Sequence, residues 1–191
     1  ALADKHFMGN PPFQAAFQPL GNLRLKFELP GNAEDYRREL DLRRGVATVR
    51  FRSGGTIFTR ECFISHPDGV LVLRLTASEP GKISFSAGLD SIYPNQVSAQ
   101  AGGQLVLRGQ WHEDGKRKDW IAKWSEPGLR YATALQVKPE GGTLQAGTNM
   151  LQIQGANAVT LCLGAGTSFR NFRDISGDPD AEWPGQLKRA V

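Results

Sequence analysis

The chain has 191 residues, of which 40% are hydrophobic and 22% charged, a composition typical of one globular domain with its own core. Its formal charge of +4 includes no basic run longer than residues 116–118, which argues against a nucleic-acid-binding protein. No apolar stretch reaches the length needed to span a bilayer. We therefore expect neither a nucleic-acid partner nor a membrane partner.

The first strands are predicted from alternating apolar and polar residues. This period of two places one side of each segment in a core and the other side in water. Three segments show it: Leu23–Leu29, Tyr36–Leu42 and Val46–Arg52.

The stretch that follows predicts a hairpin and a central strand. Gly54 and Gly55 supply the positive φ angles of a tight turn, and Thr56–Ile64 returns as the second strand of the hairpin. Val70–Leu75 is apolar on both faces over most of its length, which is typical of a strand covered on both sides. We expect the deepest burial at Val49, Phe51, Leu71, Leu73, Leu75, Phe85 and Leu161.

Further short strands continue the pattern towards the C-terminus. They are predicted at Lys82–Leu89, Gln104–Arg108, Leu129–Lys138, Asn149–Gln154 and Ala158–Ala165, with Gly and Pro turns between them. About ten short strands with frequent turns favour an all-β fold, a sandwich or a barrel.

The two cysteines, Cys62 and Cys162, each lie inside a predicted strand. No Cys or His cluster has the spacing of a zinc site. We expect two buried free thiols. The alternative is a disulfide across the sandwich, which would require an oxidising compartment.

Carboxylates that could serve as acid or base all lie in predicted polar loops. They are Glu113, Asp114, Asp119, Asp174, Asp178 and Asp180. Solvation should keep their acidity ordinary, so we interpret them as turn or capping residues and assign no catalytic residue. The last three do not have the spacing of a calcium loop, and we expect no metal and no cofactor.

A long loop, residues 111–127, carries the most suggestive side chains. Trp111, Trp120 and Trp124 lie near Asp119, and flat aromatic rings beside polar groups can bind a sugar. We therefore name these four as candidate carbohydrate contacts. The alternative is that the rings pack the loop onto the sandwich or onto a neighbouring domain.

Several motifs, in order, resemble a known family. They are FQPLGNLRLKF (17–27), YRRELDL (36–42), VATVRF (46–51), TRECFISHPD (59–68), VLVLRLTA (70–77) and GTSFRNFRDISGDP (166–179). Together they resemble the N-terminal β-domain of family 95 glycoside hydrolases, the inverting α-L-fucosidases.

The resemblance implies an antiparallel β-sandwich of the super-sandwich type found beside (α/α)6 barrels in glycoside hydrolases. Residues 1–180 would be this β-sandwich domain, incomplete at its N-terminus, and 181–191 the start of a linker to a missing helical catalytic domain. Its partners would be that (α/α)6 domain of the same polypeptide and fucosylated glycans. The parent enzyme would be secreted or periplasmic.

The resemblance assigns this chain a supporting role. It would be a non-catalytic fragment of an α-L-fucosidase, inactive alone, that packs against the barrel, or alternatively a carbohydrate-binding module. The sequence begins without Met, so we expect a piece of a longer protein, with exposed apolar surface at Phe7–Phe17 or in the loop Trp111–Trp124.

Overall fold

The computed structural model describes residue 7, residues 18–111 and residues 128–190. In chain order these form β1 (Asn22–Phe27), β2 (Glu34–Asp41), β3 (Val46–Ser53), β4 (Thr56–Ser65), β5 (Val70–Ala77), β6 (Ile83–Asp90), β7 (Asn95–Gln100), β8 (Gln104–Gln110), β9 (Arg130–Glu140), β10 (Thr143–Ala146), β11 (Met150–Ala156), β12 (Ala158–Thr167) and helix α1 (Trp183–Ala190).

The strands make two antiparallel sheets of unequal size. The small sheet has four strands in the order β1-β6-β11-β10, and the large sheet has eight in the order β2-β3-β4-β5-β12-β9-β8-β7. The predicted all-β, antiparallel sandwich is thereby confirmed.

The predicted hairpin and central strand are present. Gly54 and Gly55 connect β3 to β4 with φ angles of 54° and 85°, values that a residue with a side chain rarely adopts. β5 lies between β4 and β12, four strands from one edge of the large sheet. One face of β5 points to the small sheet and the other to helix α1.

The main core lies between the small sheet and part of the large sheet. Its members alternate along each strand, so β6 contributes Ile83, Phe85, Ala87 and Leu89, as its period of two predicts. The expected deep burial is confirmed for Phe51, Leu75, Phe85 and Leu161. It is wrong for Val49, Leu71 and Leu73, which are only partly buried. All three side chains point to the core side of the large sheet, and Leu73 packs at the margin of the main core rather than within it.

Two edge strands escaped sequence detection. β7 (NQVSAQ) has one hydrophobic face of only Val97 and Ala99, and β10 (TLQA) is four residues long. Each pairs on one side only, at the end of its sheet. A short polar edge strand has too little apolar alternation to differ from a loop in sequence.

Helix α1 occupies the segment that the sequence indicated as the start of a linker. Trp183 and Leu187, four residues apart on one helical face, are buried against the large sheet beside Val70, Val106 and Cys162. The helix approaches β12 closely at Gly164, where a Cβ would lie 2.8 Å from the Gln186 side chain. The segment after 180 therefore packs on the sandwich, and the domain division at that point stays a prediction.

The two cysteines are free thiols on opposite faces of the large sheet. Cys62 pairs in register with Leu73, on the face that meets the small sheet, whereas Cys162 packs with Trp183 and Leu187 on the other face. Side chains that point to opposite sides of one sheet cannot form a disulfide without rearrangement. Burial raises the pKa of both thiols, so they are poor nucleophiles.

Leu161→Ala tests the position of the core. Leu161 is 1% exposed between the sheets, and its truncation should lower the free energy of unfolding by about 2–5 kcal/mol, measured by urea denaturation. The matched control is Leu40→Ala on β2, where the side chain is 62% exposed and a change within about 0.5 kcal/mol is expected. Equal losses for the two variants would contradict the assignment of the core.

Candidate functional site

The segment after β12 forms a tightly closed loop, residues 168–177, that we call the C-terminal loop. Its base is closed by the hydrogen bond from Gly177 N–H to the Ser168 carbonyl, at 2.9 Å. Its tip is closed by the pair Asn171 and Asp174, whose backbones exchange hydrogen bonds of 3.1 and 3.0 Å. The loop thus has its own backbone hydrogen bonds and a defined shape.

This defined loop exposes large apolar side chains. Phe169 is 53% exposed and Phe172 is 83% exposed. The Arg173 guanidinium lies 5.0 Å from the centre of the Phe172 ring, within reach of a cation–π interaction. Ordered loops that hold aromatic rings in water are typical of contact surfaces.

The carboxylate of Asp174 shapes the loop. It accepts a 2.8 Å hydrogen bond from the Ser176 backbone N–H, and it lies 3.7 Å from Arg170. Hydrogen bonds from both the side chain and the backbone of Ser176 are the main reason that the pKa of Asp174 lies below its ordinary value, and the nearby Arg170 charge lowers it further. Asp174 is therefore ionised at neutral pH and is unsuited to donate a proton.

Asp180 joins the end of the loop to β8 and to helix α1. Its two oxygens lie 3.0 and 2.8 Å from Arg108 Nε, and Oδ1 also accepts a 2.7 Å hydrogen bond from Trp183 Nε1. The hydrogen bond from Arg108 is the main reason that the pKa of Asp180 lies below its ordinary value. The Asp180 carboxylate thereby fixes the start of helix α1 against the large sheet.

Arg130 on β9 binds the base of the C-terminal loop. Its Nη2 donates a 2.7 Å hydrogen bond to the Gly177 carbonyl, and its backbone N–H donates to Ser168 Oγ at 3.0 Å. The base of the C-terminal loop is therefore attached to β9 through Arg130, and the chain just after it is attached to β8 through the Arg108–Asp180 pair. Its exposed rings are held at a fixed position relative to the sandwich.

The described carboxylates of the predicted set all serve turns or ion pairs. Asp178 accepts a 3.0 Å hydrogen bond from the Asp180 backbone N–H, and Asp174 and Asp180 have the roles given above. Glu113, Asp114 and Asp119 lie outside the described residues. Within residues 18–111 and 128–190, no three His, Cys, Asp or Glu side chains are grouped so as to hold a metal ion.

Of the four candidate sugar contacts, the structure describes Trp111 alone. Its indole is 7% exposed, its backbone N–H donates to the Leu129 carbonyl at 2.9 Å, and a Cβ added to Gly128 would lie 2.6 Å from the ring. Trp111 thus packs where the chain leaves and rejoins the sandwich. Asp119, Trp120 and Trp124 lie outside the described residues, so a sugar contact by this loop stays a prediction.

Sequence reasoning missed the two exposed rings of the C-terminal loop. In the sequence, Phe169 and Phe172 are part of the motif GTSFRNFRDISGDP, and no role of their own was predicted for them. The available signal was two aromatic residues, three apart, among Arg, Asn and Asp in a segment without strand periodicity. Such residues have no core to enter, so they remain on the surface.

In the described part of the chain, no helix combines the length and the hydropathy required to cross a membrane. The only described helix has eight residues and carries Lys188 and Arg189 in its last turn.

Asp180→Asn tests whether the ionised Asp180 carboxylate stabilises the contact between β8 and helix α1, because its effect on the unfolding free energy should depend on pH. The folded-state pKa is lowered, so the stability that Asp180 contributes is present above the ordinary carboxyl pKa of about 3.9 and is lost as the pH falls through the folded value. The partly exposed pair is screened, so the variant should lose about 1 kcal/mol of unfolding free energy at pH 7. The difference from the parent chain should shrink below about pH 4.

Urea denaturation at a series of pH values measures this difference. Glu34→Gln, an exposed carboxylate on β2, is the control and should change little at any pH. A loss for Asp180→Asn that stays constant down to pH 2 would contradict a role for the ionised carboxylate.

Comparisons with known proteins identify the family of the chain. The model of the family described as "Glycosyl hydrolase family 65, N-terminal domain" matches residues 1–172. The chain is 31% identical over 169 residues to "Alpha-L-fucosidase 2" of Arabidopsis thaliana, a match covering 80% of this chain and 20% of that protein. It is 34% identical over 110 residues to "Probable alpha-fucosidase A" of Aspergillus niger, covering 54% of this chain and 13% of that protein.

One solved structure is also similar. "Putative kojibiose phosphorylase from human microbiome" aligns with a TM-score of 0.49 and 11% identity, over 87% of this chain and 24% of that one. The chain thus spans a fifth or less of the length of the two relatives named above. The expected resemblance to the N-terminal β-domain of α-L-fucosidases is confirmed.

Proposed function

Because the chain belongs to the glycosyl hydrolase family 65 N-terminal domain family, we propose that it is the non-catalytic β-domain of an α-L-fucosidase-like glycoside hydrolase. The observation that carries the proposal is the family match over residues 1–172, together with relatives named as α-fucosidases. The parent would hydrolyse α-L-fucosyl linkages with inversion, as family 95 enzymes do. Its carbohydrate substrates would be fucosylated glycans.

The chemistry of inversion supports placing catalysis outside the described residues. An inverting enzyme uses one protonated carboxylic acid and one basic carboxylate on opposite sides of the sugar, about 6.5–9.5 Å apart. Such an acid has a raised pKa, whereas the carboxylates with perturbed pKa in the described chain, Asp90, Glu140, Asp174 and Asp180, are all shifted downward. The acid and base would then belong to a helical (α/α)6 domain of the same polypeptide.

The β-domain would act by packing against that helical domain through the C-terminal loop. The loop is tied to the sandwich by Arg108–Asp180 and by Arg130, and it presents Phe169 and Phe172 to solvent. Aromatic anchors on a rigid support lose little conformational entropy on binding, so they suit a permanent interface between domains. Burial of both rings would fix the position of the β-domain at the mouth of the active site.

The purified chain should release no fucose from a 2′-fucosylated oligosaccharide, because the proposal places the acid and the base in the helical domain. Product formation is measured by chromatography at high protein concentration over hours. Turnover that disappears in Asp174→Asn or in Asp119→Asn would show that this chain carries catalytic carboxylates and would overturn the proposal.

Phe172→Ser should weaken association with the helical domain. We expect the helical domain, added in trans, to raise the melting temperature of the unaltered chain, and to raise that of the variant much less. Removing a central aromatic anchor costs about 2 kcal/mol or more of binding free energy, or at least about a 30-fold weaker Kd. Leu40→Ser is the matched control, since Leu40 is 62% exposed on β2, at the edge of the large sheet, four strands away from β12 and the loop that follows it.

The alternative function is glycan binding by the loop 111–127. Calorimetric titration with fucosylated oligosaccharides separates the two functions. Saturable binding by the chain alone that is lost in Trp120→Ala and in Trp124→Ala would favour the carbohydrate-binding module. Absence of binding, together with the Phe172 effect, would favour the supporting domain.

A further inference from the structure

Helix α1 covers only part of the large-sheet face on which it lies. Its buried side chains pack on Val70, Ala134 and Cys162, which belong to β5, β9 and β12. We call this side of the large sheet the helix face. Beyond β5 it continues over β4, β3 and β2, where Arg37 and Arg50 are exposed. This part of the helix face is a surface of regular, hydrogen-bonded strands.

Cross-strand pairing aligns six polar side chains on the helix face. Residues directly opposite one another in antiparallel strands lie on the same face. Thr160 alternates along β12 with Cys162, which packs against the helix, so Thr160 and its cross-strand partners belong to the helix face. Six neighbouring strands each contribute one member: Glu39, Thr48, Glu61, Arg74, Thr160 and Lys138. We call them the polar row, and with strands about 4.8 Å apart the row is about 24 Å long.

Two clefts open along the polar row. The cleft at the β2 end has a volume of about 240 Å³ and is lined by Arg37, Glu39, Thr48 and Arg50. The cleft at the β9 end has a volume of about 320 Å³, and its lining includes Thr160 and Lys138. The two middle members of the row lie between them. A ligand that lies along the row therefore contacts both clefts.

Glu61, in the middle of the row, has an unused carboxylate. Arg74 lies directly opposite Glu61 on β5, but its Nη1 donates to Glu140 at 2.5 Å and to Thr160 at 2.7 Å. Among the described residues, no group donates a hydrogen bond to the Glu61 carboxylate. Glu61 is partly buried, so its carboxylate has lost part of its hydration. It is therefore an acceptor open to a ligand.

Hydrogen-bond donors lie on both sides of this acceptor. Arg50 and Lys138 are exposed, and neither forms an ion pair with a carboxylate of the described residues. Thr48 lies directly opposite Glu61, with the two Cβ atoms about 5 Å apart. Its hydroxyl can donate one hydrogen bond and accept others. The row thus combines donors and acceptors, and charges of both signs, over its whole length.

An exposed aromatic ring borders the row. Phe63 follows Glu61 by two residues on β4, so both side chains point to the helix face, about 7 Å apart along the strand. Phe63 is 37% exposed and lies opposite Val72, at the margin of the cluster under the helix. A sugar has C–H groups on its faces and hydroxyls around its edge. A flat apolar ring beside hydrogen-bonding groups is complementary to both.

We propose that the polar row and Phe63 form a binding site for a neutral oligosaccharide chain. One sugar ring stacks on Phe63, and its hydroxyls donate to Glu61. Further sugar units follow the row, towards Arg50 in one direction and towards Lys138 in the other. The choice of ligand, a fucosylated glycan, rests on the proposed function. The site itself is separate from the helical domain and from the loop 111–127.

The chemistry of the row favours a neutral glycan over an acidic glycan or a peptide. The carboxylates of Glu39 and Glu61 repel anionic groups, and Arg37 is already paired with Glu39 at 2.8 Å. A peptide that extends a sheet pairs with an edge strand, whereas Phe63 lies on a strand with neighbours on both sides. Hydroxyls donate to carboxylates and accept from guanidinium and ammonium groups, so they match both signs of charge.

Titration of residues 1–191 with a neutral fucosylated pentasaccharide tests the site. Calorimetry gives the Kd, and amide NMR shifts give the location, with the largest changes expected at Glu61 and Phe63. Phe63→Leu keeps the apolar bulk but removes the flat ring, and it should weaken the Kd at least about tenfold. Glu61→Gln removes the charge of the acceptor and should weaken the Kd about fivefold or more.

Matched variants separate binding from folding. Ile64→Ala changes the next residue of β4, which is 66% exposed on the opposite face, and Glu28→Gln changes an exposed carboxylate just after β1. Both should leave the Kd within about twofold of that of the parent chain. Phe63→Trp keeps a flat ring and should retain binding. A loss in Phe63→Trp as large as that in Phe63→Leu would contradict stacking on this ring.

Three other results would overturn the proposal. The first is the absence of saturable binding at millimolar pentasaccharide, or binding that Phe63→Leu and Glu61→Gln leave unchanged. The second is binding that is lost in Trp120→Ala, which would assign the glycan to the loop 111–127. The third is binding of acidic oligosaccharides alone, abolished by salt, which would make the row a site for anions.

Failure of this inference can be told from failure of the proposed function. The proposed function depends on the Phe172→Ser effect and on the absence of turnover, whereas the glycan site depends on Phe63 and Glu61. Weaker association with the helical domain in Glu61→Gln, without glycan binding, would assign the helix face to the domain interface and overturn the glycan site alone.

Discussion

The large sheet needs a cover on both faces, and most of the structure follows from that need. β5, β12 and β9 are apolar on both sides because the small sheet packs on one face and helix α1 on the other. Val159 and Leu161 point to the small sheet, whereas Cys162 points to Trp183 and Leu187. Backbone polar groups in such strands are all paired within the sheet, so the strands can be buried without unsatisfied hydrogen bonds.

The second cover depends on a short helix that would not be stable alone. Eight residues with Pro184 and Gly185 in the first turns form a marginal helix in water. Its docking is fixed instead by tertiary contacts: the Asp180 carboxylate between Arg108 and Trp183 at the start, and Gln186 Oε1, which accepts the Ala165 N–H at 3.0 Å, one turn later. The same carboxylate anchors the C-terminal loop, so the helix and the exposed Phe rings share one support.

The sequence predicts local features well here and the extent of burial poorly. Alternation along β6 and the Gly54–Gly55 turn depend on nearby residues, and both are as predicted. The burial of Leu73 depends on how far the opposite sheet reaches, which no local pattern contains. Helix α1 was missed because its Pro-Gly pair is typical of a linker, although Trp183 and Leu187 had helical spacing. The candidate site was the hardest feature to predict from sequence. Phe172 is exposed only because no core residues pack around it, and no local pattern contains that information.

The C-terminal loop requires a particular kind of partner. It has closed its own backbone hydrogen bonds, so Phe169 and Phe172 need only a complementary pocket. The side chains of a folded neighbouring domain meet that requirement, whereas an added strand would find no backbone groups of the loop tip left to pair with. The loop would then meet its partner as a finished, rigid surface.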